Sequence, residues 1–187
     1  MEKRLFAAFR IEPDDYFKRN FHTLQSKLFS DIINWVEPEN IHVTLKFFGE
    51  TPEEKIPAIR SALTAACQGF GPVDAIVARL GVFGSYHQPR VIWIGLEPGS
   101  AFKNLQQRIA KQIEPLGFLP DRQNFVPHLS LGRVKKIKDL HYFQQTLEEG
   151  RDAIKLKQRL TELYLYESVL QQTGAVYKVL SHFGLNP

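Results

Sequence analysis

The chain has 187 residues, 43% hydrophobic and 24% charged, the balance of an ordinary globular protein with room for one domain or two intimate lobes. Its single cysteine, Cys67, excludes an internal disulfide and a cysteine cluster for zinc, and suits the reducing cytoplasm in which the chain is expected to reside. No apolar run approaches the roughly 20 residues that span a bilayer and no signal-peptide layout opens the chain, so no membrane partner is expected; a net charge of +4 permits a nucleic-acid partner without establishing one.

Residues 4–11 read as a buried strand. Pro13 then opens a helix to about Ser30, with Asp14 and Asp15 complementing its dipole. Trp35 to Asn40 reads as a short strand or loop leading into a strand over 41–48, stopped at Gly49. Thr51-Pro52-Glu53-Glu54 is a helix start, with threonine as cap and proline at the first helical position, and this helix is expected to reach about Gln68. Val73 to Phe83 and Arg90 to Glu97 read as strands; the loop between them holds Tyr86 and His87, candidates for a cleft rim but read as exposed. Ser100 is placed to cap a helix running to about Pro115. A strand over 128–135 is followed by Lys135, Lys136 and Lys138, read as a solvated turn, and by a helix capped near Asp139. Leu156 to Leu170 and Ala175 to His182 read as a closing hairpin that turns over 171–174. Trp35 and Trp93 are assigned to the core, and His22, His141 and His182 to structural or exposed positions. The sum is α+β, four helices and about eight strands in mostly antiparallel sheets, with no linker to divide residues 1–187.

Two tripeptides stand out, His42-Val43-Thr44 and His128-Leu129-Ser130. Around the first, Ile41, Val43, Leu45 and Phe47 alternate with His42, Thr44 and Lys46; around the second, Pro127, Leu129 and Leu131 alternate with His128, Ser130 and Gly132. Period-2 alternation marks a half-buried strand, so each histidine shares a face with the hydroxyl two residues on, about 6.5–7 Å away at the Cα atoms. The flanks repeat as well. Leu5-Phe6-Ala7-Ala8-Phe9-Arg10-Ile11-Glu12-Pro13 is echoed by Arg90-Val91-Ile92-Trp93-Ile94-Gly95-Leu96-Glu97-Pro98, an apolar strand closed by Glu-Pro in both. Glu12 to His42 is 30 residues and Glu97 to His128 is 31. This is a strand-helix-strand repeat, and its period favours two lobes related by a pseudo-twofold over a solenoid.

Two imidazoles facing one cleft can take a proton from an attacking oxygen and give one to a leaving oxygen, while hydroxyls hold the non-bridging oxygens of a phosphoester. No acidic cluster flanks either motif; the nearest acid, Glu39, has the opposite strand parity to His42. The stretches Asn40-Ile41-His42-Val43-Thr44-Leu45-Lys46-Phe47-Phe48-Gly49 and Phe125-Val126-Pro127-His128-Leu129-Ser130-Leu131-Gly132-Arg133 resemble the two signatures of the two-histidine phosphoesterases, and more narrowly the RNA 2′,3′-cyclic phosphodiesterases of the 2′-5′ RNA ligase family. The resemblance extends through Arg90 to Leu96 and Leu163-Tyr164-Leu165-Tyr166-Glu167-Ser168. Ser130 is a departure, since threonine is more usual there.

The resemblance implies a bilobal α+β fold with a central cleft, and metal-independent hydrolysis of a 2′,3′-cyclic phosphate on RNA or a nucleotide to the 2′-phosphate. It also implies reversible 2′-5′ ligation in some members. His42 would then be the general acid and His128 the general base, and Thr44, Ser130 and Arg133 would bind phosphate; Phe48 has the parity of a candidate to stack on a base, with a core position as the commoner reading of such a residue. Arg133 has the wrong parity for the His128 face and needs a bulge or the strand end to swing it in. No cofactor and no metal are expected, and the chain is expected to act as a monomer on RNA ends or nucleotides bearing the cyclic phosphate. Hydrolysis of another small cyclic phosphate, such as that of ADP-ribose, is the alternative within the superfamily; a non-catalytic RNA-end-binding module is the alternative outside it.

Overall fold

The computed structural model describes every residue except 86, 120–123, 172 and 173, with the side chain at 174 also left aside. Among the described residues nine strands form two antiparallel sheets. The first, sheet A, has four strands in the order β3 (His42–Pro52), β1 (Glu2–Arg10), β8 (Glu162–Gln171), β9 (Gly174–Gly184). Sheet B has five, in the order β2 (Ile32–Trp35), β6 (His128–Lys136), β5 (Gln88–Glu97), β4 (Val73–Ser85), β7 (Leu156–Leu160). The repeat legible in the sequence is present in the pairing: β1 lies against β3 as β5 lies against β6, with Arg10 opposite His42 and Gly95 opposite His128. Among the described residues no helix is long and apolar enough to cross a membrane.

Alternation decides which face each strand buries. On β1, Leu5, Ala7 and Phe9 enter the main core, while Phe6 and Ala8 face the other way and join Tyr166 in a smaller cluster on the concave side. Among the described residues four α-helices cover the convex faces, and the two that lie inside the repeat cross over. The helix after β1, α1 (Asp15–Lys27), packs Phe21 against Trp35 of sheet B. The helix after β5, α3 (Gly99–Ile113), packs Phe102 against Phe9 of sheet A, beside α2 (Ile56–Cys67). The remaining helix, α4 (Leu140–Glu149), lies behind β4. Each half of the repeat therefore backs the sheet of the other, and the buried residues of both sheets form one continuous core. Gln158 of β7 adds a polar tie between the sheets: its Oε1 accepts from the Glu12 amide (2.9 Å) and its Nε2 donates to the Arg10 carbonyl (3.3 Å).

Local chemistry explains the boundaries and the departures from expectation. Asp14 caps α1 through the Phe17 amide, and Asp139 caps α4 through that of Tyr142. Thr51 caps nothing. It is fully buried, its hydroxyl donates to the Gly49 carbonyl, and β3 runs on to Pro52; a 3-10 turn over Glu53–Lys55 then precedes α2. Ser100 lies inside α3 rather than capping it. The expected strand over 156–170 is two strands in different sheets, β7 and β8, with the chain passing from one to the other at Thr161, whose carbonyl accepts from the Leu185 amide. The expected element over 35–40 is strand β2, ending at Trp35, followed by a 3-10 turn over Pro38–Asn40. The closing hairpin joins β8 to β9, its turn including residues outside the described set.

Candidate active site

The concave faces of the two sheets meet where β3 approaches β6, and the two histidine strands face each other there. Each imidazole is fixed by a local bond of the same kind. His42 Nδ1 lies 2.6 Å from the Asn40 carbonyl, and His128 Nδ1 lies 2.7 Å from that of Val126. A carbonyl oxygen only accepts, so Nδ1 carries the proton in both rings, and Nε2 is the atom left to exchange protons. Aromatic neighbours hold the ring planes: Phe6 and Tyr177 lie 5.0 and 5.1 Å from His42, and Phe83 4.7 Å from His128, centroid to centroid.

The same surroundings depress both pKa values. Burial is the first cause at each ring and outweighs the carbonyl bond, which acts in the opposite direction; at His42 the charge of His128 lowers it further. Thr44 and Ser130 stand two residues beyond the histidines, half-buried on the same strand faces, and neither hydroxyl is paired among the described residues.

Beyond the hydroxyls both strands carry a bulge at the equivalent position. Ala8 pairs Thr44 and Ala7 pairs Lys46, leaving Leu45 as the extra residue; Trp93 pairs Ser130 and Ile92 pairs Gly132, leaving Leu131. An extra residue reverses the parity of the residues that follow until the next register shift, which on β3 comes at Phe48. On β6 it turns Arg133 onto the cleft face, close enough for its charge to act on Tyr177 of β9. On β3 it overturns the extrapolated alternation. Phe48 is only 8% exposed and packs in the core against Phe118, so it is not available to stack on a base. Phe47 takes the cleft side instead: it is 44% exposed, stacked on Phe6 and covered by the Arg4 guanidinium 5.0 Å from its ring. Lys46, which its parity had placed on the cleft face, is 5% exposed and donates to the Leu119 carbonyl (3.0 Å).

Several cleft residues were not singled out in advance. Trp93, assigned to the core, lies on the concave face with its ring 6.3 Å from His128, over Gly81, where a Cβ would come within 2.4 Å of the indole. Arg10, Tyr166 and Tyr177 line a hollow of about 180 Å³ beside His42, and Glu39, raised into reach by its 3-10 turn, lines it too. The period-2 pair Tyr164 and Tyr166 was the available signal for this wall. His87 is exposed, as are Lys135, Lys136 and Lys138; Tyr86, the other rim candidate, lies outside the described residues.

The imidazoles of His42 and His128, the hydroxyls of Thr44 and Ser130 and the Arg133 guanidinium thus gather on one cleft between the two sheets of an α+β scaffold. Residues 13–171 match the model of the 2'-5' RNA ligase superfamily, and the chain belongs to that superfamily. Its relatives include the RNA 2',3'-cyclic phosphodiesterase of Methanothermobacter thermautotrophicus, 32% identical over 99% of this chain and 100% of that one. The RNA 2',3'-cyclic phosphodiesterase of Methanocaldococcus jannaschii is 33% identical over 96% and 99%. Among solved structures, TT0787 of Thermus thermophilus superposes with a TM-score of 0.78 at 25% identity over 97% of both chains. LigT of E. coli, solved with 3'-AMP, shares the fold at a TM-score of 0.68 and 20% identity over 100% of this chain and 99% of that one.

Proposed function

We propose that this chain is an RNA 2′,3′-cyclic phosphodiesterase that hydrolyses the cyclic phosphate to a 2′-phosphate by paired histidine acid–base catalysis, without a metal. The observation that carries the reading is the matched pair of Nδ1–H···O=C bonds, which leaves two Nε2 atoms to serve one cleft. His128 takes a proton from water as its oxygen attacks phosphorus, and His42 protonates the 3′ oxygen as the P–O3′ bond breaks, so the step balances. The nucleoside carries the departing oxygen, and the hollow beside His42 offers it room on that side. Thr44, Ser130 and Arg133 hold the non-bridging oxygens, whose charge draws a proton onto the buried His42 despite its lowered pKa. Attack by the 5′ hydroxyl of a second RNA in place of water, with a 2′-linked product, is the same chemistry and would account for ligation.

The test is a product-resolved assay on a cyclic-phosphate-ended oligonucleotide in excess EDTA, with His42→Ala and His128→Ala as controls. The 2′-phosphate is the expected product. Exclusive 3′-phosphate, a strict metal requirement, or RNA binding without turnover would overturn the reading.

A further inference from the structure

The hollow beside His42 is built unevenly. Tyr166, Tyr177 and Val179 give it an aromatic and apolar wall, with both phenols held neutral because burial raises their pKa values. Its backbone floor is already committed: the Asn40 carbonyl accepts from His42, the Ile41 carbonyl accepts from the Ile11 amide, and the Ile41 amide donates to Pro38. Two charged side chains of opposite sign complete the lining, Arg10 and Glu39, and they form no ion pair with each other or with another side chain among the described residues. They stand between this hollow and a second one of about 170 Å³ that also contacts Lys18. Arg10 and Glu39 are both exposed, so an acceptor pair and a donor fork are available at the rim to the edge of a ring stacked on one of the two tyrosines, which stand at 60° to each other.

The edge chemistry of the bases separates them at such a pair. A carboxylate accepts two parallel bonds, and guanine alone presents adjacent donors for it, N1–H and N2–H₂. Guanine also presents O6 and N7 to a guanidinium. Uracil offers one donor flanked by acceptors, and adenine and cytosine each offer a single amino group beside an acceptor. We infer that the hollow is the base subsite and selects guanine, with Glu39 accepting from N1–H and N2–H₂ and Arg10 donating to O6 and N7. The inference rests on the reading of the cleft given above and specifies its substrate: ends whose terminal nucleoside is guanosine.

The experiment compares kcat/KM for the four nucleoside 2′,3′-cyclic phosphates, and measures binding of guanosine and uridine 2′-monophosphates by calorimetry. Guanosine is expected to lead uridine by about 10- to 100-fold, the size of a lost charge-assisted pair. Glu39→Gln swaps one acceptor for a donor and drives that ratio towards one; Arg10→Lys keeps the charge, loses the fork and lowers the ratio less. A residue that only shaped the pocket would change all four substrates in proportion, and an unmoved ratio in Glu39→Gln overturns the subsite. Equal turnover of all four bases by the unmodified protein overturns it too, with the phosphodiesterase reading intact. Absence of turnover on all four and on an RNA oligomer sinks that reading instead; guanosine 2′-monophosphate binding that Glu39→Gln abolishes still upholds the subsite, and binding indifferent to it does not.

Discussion

The strands β3 and β6 carry one backbone device with two different sets of side chains. In each, a histidine donates from Nδ1 to the carbonyl two residues back, a hydroxyl follows, and a leucine bulges out of register. After the bulge the lobes part. The cleft-facing residue is Phe47 in one and Arg133 in the other, and the core-facing residue is Lys46 in one and Gly132 in the other. Neighbouring strands account for the second contrast. In sheet B, β2 pairs with β6 and lays Trp35 over Gly132, where a Cβ would come within 2.8 Å of the indole. In sheet A, β3 is the edge, and the same position holds a long side chain that reaches out to the Leu119 carbonyl. The repeated scaffold places the two imidazoles equivalently; on the proposed reading, the unequal neighbours are what would let the cleft distinguish the two sides of a phosphate.

The largest test of that division removes each imidazole. His42→Ala and His128→Ala are each expected to lower kcat/KM by about 10²–10⁴-fold. A substrate with an activated leaving group should restore His42→Ala and leave His128→Ala slow, because only the acid becomes dispensable. Rescue of the reverse variant would exchange the roles of the two lobes, and equal rescue would erase the distinction. Truncating the hydroxyls comes next. Thr44→Ala and Ser130→Ala should each cost about 10²-fold in kcat, as loss of one donor to developing charge does elsewhere. Ser130→Thr adds only a methyl that restricts the rotamer, so its rate should stay within about threefold of the parent.

The post-bulge contrast predicts stability rather than rate. Gly132→Ala forces a Cβ against Ile33 and Trp35 and should destabilise by about 1–3 kcal/mol, read from the urea midpoint. Lys46→Met keeps most of the buried stem and removes the bond to Leu119, for a loss of about 1 kcal/mol. A Gly132→Ala variant as stable as the parent would mean that β2 is not pressed onto this lobe as the geometry requires.

How far the site could be read in advance follows from the same bulges. His42, Thr44, His128 and Ser130 lie before them, where alternation in the sequence alone sets the face. Phe48 and Lys46 lie after, and an extra residue in a strand is defined by its partner's register, which no local pattern carries. Arg133 was accessible to reasoning because its parity was visibly wrong for a cleft residue, so either a bulge or the strand end had to swing it in, and the register shows the bulge. The hollow of Arg10, Glu39, Tyr166 and Tyr177 gathers three stretches distant in sequence, the end of β1, the 3-10 turn before β3 and the β8–β9 hairpin, so only the alternation of Tyr164 and Tyr166 hinted at one wall. Most of the fold was legible from caps and strand periods. The joint at Thr161 was not, since strands β7 and β8 read as one unbroken run and part only because each belongs to a different sheet.

The smallest expected effect concerns pH, and it tests whether both lobes bury their imidazoles. Burial holds both histidines below the ordinary value of 6.5 in the folded chain, while the unfolded chain titrates near that value. Between the two the unfolded state binds more protons, so stability rises with pH across this window. The contribution is complete above about 6.5 and is lost as pH falls through the folded values. Thermal melts from pH 7 to pH 5 should therefore show a steeper loss for the parent than for a His42→Ala, His128→Ala double variant. A non-titrating dianion such as sulfate, bound between the hydroxyls and Arg133, would stabilise the imidazolium forms and flatten the parent's loss, while shifting the double variant evenly across the pH range and leaving its slope unchanged. Equal slopes for parent and variant without the anion would mean that neither ring is desolvated. A slope difference that sulfate leaves unchanged would mean that the rings are buried but the cleft between them does not hold an anion.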